Sequence, residues 1–300
     1  MISQNINYAV NGNRAMSEKN LEKLYHHIPF RPPYFAIEHY WLDREIMYGV
    51  FLCQKQAIPE LPGICEAEVI RHMSVLGSLC IANAYPLKHK HFYLLESVIT
   101  EKVTVADREC LAYLGKGYLK QLTNNVVIIE AVLMEPNCAV LERCLLQYAV
   151  FAEHSFKDKF QDKFVPTKNI SLTNPYESSI KLKEIEQIEH FMTASFGNIN
   201  EYDCLGHFSD YPILPLSSVI DGLTNLSIKL IKQVKKGKKT YTIKWSKADC
   251  NFHFGVGDKV DLYAMIDKSS GIGEFHIKAW AATQTDKVGV EFECWFNDRH

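Results

Sequence analysis

In the second half of this 300-residue chain, His207 stands fourteen residues ahead of Asp221, within the run Gly206-His207-Phe208-Ser209-Asp210-Tyr211-Pro212-Ile213-Leu214-Pro215. An imidazole, with an ordinary pKa of about 6.5, accepts a proton near neutral pH. A carboxyl group desolvated among apolar side chains keeps its proton and can donate it. Residues of these types suit a reaction in which one proton leaves a substrate and another is delivered. The first half carries the same frame. Pro62-Gly63 with Glu68 five residues on matches Pro215-Leu216 with Asp221 five residues on, and Gln54 falls where His207 falls. The two frames therefore share two acids and a single histidine.

The elements that must hold these residues also come in two sets. Three hundred residues is about twice a common domain size, which suggests two domains or one domain built twice. A strand-like segment begins at Pro33, a loop with Pro59 and Pro62 follows, and a helix is expected from about Gly63 to Ala84, apolar on most of its surface and thus buried. Four strand-like runs come next, the last of them, from Ala139 to Glu153, also compatible with helix. After a charged stretch from Ser155 to Tyr176 the order recurs: a strand region near Ile188–Phe196, a helix from Leu216 to about Lys236, then four strand-like runs. The expected organisation is an N-terminal arm (1–28), a first half (29–154), a linker (155–176) and a second half (177–300). The class is α+β, each half one long buried helix wrapped by an antiparallel β-sheet.

Gly206, His207, Phe208, Pro212, Pro215 and Asp221 together resemble the motif of the bacterial 3-hydroxyacyl-acyl carrier protein dehydratases of the hotdog superfamily. The resemblance covers about 20 residues, and the order of elements extends it loosely to both halves as a double hotdog. In that family the histidine comes from one hotdog and the acid from the other. It therefore implies one site made by His207 as base and Glu68 as acid, and a second, silent position at Gln54 and Asp221. Backbone N–H groups at Gly63 and Leu216 would face the thioester carbonyl. The implied activity is dehydration of a 3-hydroxyacyl thioester carried on acyl carrier protein or coenzyme A, without a cofactor. The chain departs from the family pattern at Leu216, where glycine is usual, and at Ser209-Asp210, where a Pro-Gly or similar pair is usual. Two alternatives stand beside the dehydratase. One is a hotdog thioesterase whose carboxylate activates water or forms an acyl intermediate; the other is a non-catalytic hotdog that binds acyl chains or a carrier protein. The chain is expected to act as a monomeric pseudo-dimer or as a homodimer.

Other features have plainer readings. A net charge of −2 argues against a nucleic-acid binder. The polar N-terminus lacks the apolar core of a signal peptide and no stretch is long enough to span a bilayer, so a cytoplasmic location is expected. Nine scattered cysteines without a C-x-x-C pair give no metal or redox motif. Glu66 is read as favourable charge in a helix's first turn. His72, four residues past Glu68, is either helix support or an auxiliary site residue. Lys88-His89-Lys90-His91 is read as a solvent face rather than a metal site. The lysines from Lys229 to Lys239 are read as a solvated helix end or a docking patch for an acidic partner. Ser217-Ser218 lacks a G-x-S-x-G context, and no Walker or Rossmann glycine pattern occurs.

Overall fold

The computed structural model describes residues 24–55, 58–85, 90–104, 110–123, 126–166, 173–208, 210–235, 239–269 and 273–299. The first half opens on a hairpin of β1 (Ile37–Asp43) and β2 (Ile46–Leu52). Helix α1 (Glu66–Ala84) follows, then β3 (His91–Lys102), β4 (Ala112–Leu122), β5 (Val126–Met134) and β6 (Val140–Ala152). A short helix, α2 (Glu153–Lys159), leads towards the second half. There the order repeats as β7 (Lys183–Ile188), β8 (Phe191–Asn198), α3 (Leu216–Val234), β9 (Thr240–Cys250), β10 (Lys259–Ser269), β11 (Glu274–Thr283) and β12 (Val288–Arg299).

The strands form one 12-stranded antiparallel sheet in the order β1-β2-β4-β5-β6-β3-β9-β12-β11-β10-β8-β7. Each half contributes six strands in equivalent order, and the halves meet at β3 and β9, where Val98 lies opposite Ala248 and Thr100 opposite Ser246. The two long helices pack against the same sheet and against each other. This is a double hotdog of the α+β class, as expected.

Local details depart from the expectation for identifiable reasons. The segment from Pro33 is a hairpin rather than one strand, because Arg44 turns the chain at φ 57; Glu189, at φ 50, does the same between β7 and β8. Helix α1 starts at Glu66, not Gly63, because Gly63 sits at φ +93, outside the helical region. The run from Ala139 is the strand β6. The charged stretch after Ser155 is partly folded into the core: Phe156, Phe160 and Tyr176 are buried in it. So are Leu24, Ile28 and Phe30 near the N-terminus. The Asn124-Asn125 turn, Ser209 and Gly237 lie outside the described residues.

Helix α1 is buried from Glu66 to Ala82, which explains its lack of a polar face. Gly77 lets Tyr148 of β6 approach closely enough for its hydroxyl to donate to the Ser74 carbonyl at 2.8 Å. A Cβ at Gly77 would overlap that hydroxyl. Gly77→Ala gains helix propensity yet is expected to destabilise the chain by about 1–3 kcal/mol through overpacking. A melting temperature equal to or above that of the parent chain would show that the site has room.

Candidate active site

The motif around His207 is first of all a loop with special backbone needs. Gly206 has φ +80, and a Cβ there would strike the backbone of Arg31 and Tyr34; Phe208 has φ +58. His207 Nδ1 faces the Ile213 carbonyl oxygen at 2.8 Å and therefore carries the ring proton. Its ring stacks on Phe30 (5.4 Å, 7°) and leans on Tyr34 and Phe208. Burial pushes its pKa down to about 3, against a smaller upward pull from Ile213. His207 is thus a neutral ring inside an aromatic cluster that ties residues 30–35 to the entry of α3.

Glu68 lies elsewhere, on the first turn of α1. Its Oε1 accepts from the Gln54 backbone N–H at 2.6 Å, and both its oxygens accept from the Lys55 N–H at 3.3 Å. Arg71 Nη2 lies 3.7 Å and His72 Nε2 3.4 Å from Oε1. Burial on its own would raise the carboxyl, but the His72 contact, the Gln54 amide and the Arg71 charge outweigh it. They hold Glu68 below the ordinary carboxylate value. Burial drives His72, stacked on Phe51 at 4.1 Å, down to about 4, so it is neutral near pH 7. Glu68 is an anion there, not a proton donor.

Asp221 stands beside this group from the other half. It forms a buried salt bridge with Lys55 and accepts from the Ile180 N–H at 3.1 Å. Glu68, Arg71, Lys55, Ser217, Ser218 and Asp221 line one cleft that both halves wall. Arg71 is 2% exposed and donates through Nη2 to the Gln54 side chain at 2.7 Å; its Nη1 is buried without a hydrogen-bond partner. The structure therefore brings Glu68, His72 and Asp221 together with Lys55 and Arg71. His207 is not among the residues lining that cleft. The sequence did offer a pointer to Arg71: a guanidinium in a helix apolar all round must be paired.

Gly63 opens on a separate cleft, lined also by Glu66, Lys102, Tyr241 and Arg299. Glu66 is more than first-turn charge: it accepts from Thr100 and, at 2.7 Å, from Ser246, so one carboxylate joins β3 to β9. In the second half the loop leading to Leu216 is covered by α2. Phe156 stacks on Phe92 (3.9 Å, 8°) and packs on Phe208 and Tyr211. Among the described residues no group of histidines, cysteines and acids could hold a metal ion, and no helix is long and apolar enough to cross a membrane. Lys88, His89, Lys236 and Lys238 lie outside the described residues; Lys232 pairs with Glu60 and Lys239 with Asp298.

No protein-family model and no curated protein sequence matches the chain. Solved structures do. An acyl-ACP thioesterase from Bacteroides thetaiotaomicron shares 12% identity at a TM-score of 0.53, over 84% of this chain and 98% of that one. The 12:0-ACP thioesterase from Umbellularia californica shares 7% at 0.54, over 85% and 95%. The acyl-CoA thioesterase II from Mycobacterium marinum shares 7% at 0.50, over 89% and 97%. At these identities the likeness shows the fold. It also corrects the expected activity: these similar structures are thioesterases, not 3-hydroxyacyl dehydratases or any hydro-lyase. His207 meets the Ile213 carbonyl and Glu68 accepts from the Gln54 and Lys55 N–H groups, and the two make no hydrogen bond to each other.

Proposed function

We propose that the chain hydrolyses acyl thioesters, with acyl carrier protein or coenzyme A as the released thiol. The observation that carries this reading is the pairing of an anionic Glu68 with Arg71, whose Nη1 is buried and unpartnered, on a cleft walled by both halves. Thioester hydrolysis needs a base for water and a donor for the carbonyl oxygen as it gains charge. Glu68 takes a proton from water as the water oxygen bonds to the thioester carbon. Arg71 Nη1 donates to the developing oxyanion. When the C–S bond breaks, the proton held by Glu68 passes to the departing sulfur. The neutral His72 holds Glu68 in place, and the Lys55–Asp221 pair joins the second half to the site. His207 has a packing role in this scheme.

The test is thiol release from acyl-coenzyme A and acyl carrier protein by the purified chain, alongside Arg71→Lys. Lysine keeps the charge but cannot both hold Gln54 and offer a second donor in the fork geometry. Loss of one oxyanion donor predicts a fall in kcat of about a hundredfold. No thiol release by the parent chain, or an unaffected Arg71→Lys, would sink the hydrolase.

A further inference from the structure

The Glu68 cleft has a cover that belongs to neither helix. Pro175, Tyr176, Ser178 and Ile180 line it, all from the segment that joins the two halves. Apart from its own turn, in which the Tyr176 N–H donates to Asn174 Oδ1, the segment is tied to residues of the site and of the loops beside it. Asn174 Nδ2 donates to Gln54 Oε1 at 3.3 Å, the atom that also receives Arg71. The Arg71 guanidinium lies 4.9 Å from the centroid of the Tyr176 ring, and the Tyr176 hydroxyl donates to the Leu205 carbonyl at 2.8 Å. The Ile180 N–H donates to Asp221. Between these ties the segment has no helix or strand of its own.

The room inside the cleft is about 30 Å³, enough for about two waters and far below the about 300–1,000 Å³ of small-molecule sites. An acyl thioester with its carrier arm is longer than such a space. We propose that residues 174–180 are a strap latched over the cleft, and that its release from Gln54, Leu205 and Asp221 admits the thioester. This rests on the hydrolase reading for the identity of the ligand, not for the latch itself. Two positions carry distinct duties. Asn174 and the Tyr176 hydroxyl hold the strap down. The Tyr176 ring, under the guanidinium, is a positioning group for Arg71.

A latch that keeps the open form scarce weakens apparent affinity by the fraction open. The double variant Asn174→Ala/Tyr176→Phe removes two hydrogen bonds of the strap and keeps the ring beneath Arg71. It is expected to lower KM for a medium-chain acyl-coenzyme A by about tenfold, more than it changes kcat. Tyr176→Leu, by contrast, lowers kcat, because Arg71 loses its support. A purely structural strap would give a melting shift in all variants and no split between KM and kcat. An independent measurement needs no variant. Amide hydrogen exchange of the peptide spanning 174–180 in the parent chain should change on saturation with dodecyl-coenzyme A thioether, which cannot be hydrolysed, while β8 stays the same. An unchanged KM in the double variant, or thioether binding that leaves this peptide's exchange unaltered, overturns the latch. If the parent chain releases no thiol yet the exchange responds to the thioether, the latch stands and the hydrolase falls.

Discussion

Glu68→Gln is expected to slow thiol release about a thousandfold, within the 10²–10⁴ range for removal of a general base. The amide matches the carboxylate in shape, so it still accepts from the Gln54 N–H. It can no longer be charged, and its NH₂ group, in the place of Oε2, faces the Lys55 N–H and the Cys53 thiol. A stability loss of about 1–3 kcal/mol should accompany the kinetic one, because a buried donor meets a donor. Stability and turnover are separable by measuring kcat well below the melting temperature of the variant. If Glu68→Gln turns over at the parent rate, the base lies elsewhere on the cleft and Asp221 takes its place as the group to test.

Between about pH 5 and 8 Glu142 should lower stability as pH rises, against the opposite contribution that the buried neutral His72, His207 and His253 make below about pH 6.5. This carboxyl is fully buried on β6, beside Glu66 and Lys102, with Oε1 unpartnered. Burial, then the Glu66 charge, push its pKa up to about 8, and Lys102 offsets only part of this. In the unfolded chain the same group loses its proton near the ordinary carboxyl value. Between the two pH values the folded state binds the extra proton, so each pH unit removes up to about 1.4 kcal/mol of stability. Cys144 and the seam hydroxyls of Thr100 and Ser246 face the same cluster and do not titrate in this window. Glu142→Gln should remove this loss, read as the difference between variant and parent in chemical denaturation midpoints at pH 5, 6.5 and 8. A difference that does not change with pH would remove Glu142 from this role.

The fold was legible because its signals are long and repeated. Nineteen-residue helices with apolar faces and eight strong strand runs leave few ways to bury that surface. Turn chemistry was less visible: Arg44 and Glu189 adopt positive φ without the glycine that usually announces it. The site was harder for a different reason. Register placed Glu68 in the first turn of α1 and Asp221 in the second turn of α3, two helices that the fold brings side by side. It said nothing of which way His207 turns, and that is decided by Phe30 and Tyr34, about 175 residues earlier in the chain. Lys55 and Tyr176 join the cleft through tertiary contacts that no local spacing encodes. The dehydratase reading failed at that step, where a motif's shape was taken for its chemistry.

The meeting of β3 with β9 inside one polypeptide has an evolutionary consequence. In a twofold-symmetric dimer of identical chains every substitution appears twice, so sealing one opening seals its twin. Fusion removes that bond between the two openings. Leucine at 216 and the aromatic packing of Phe156 could arise in the second half while Gly63 kept its open surroundings in the first. Gln54 could likewise replace a histidine at one end only. Each half of such a sheet can change on its own, and here the two differ: Phe156 and Phe208 pack together beside the second-half loop, while Gly63 faces open space in the first.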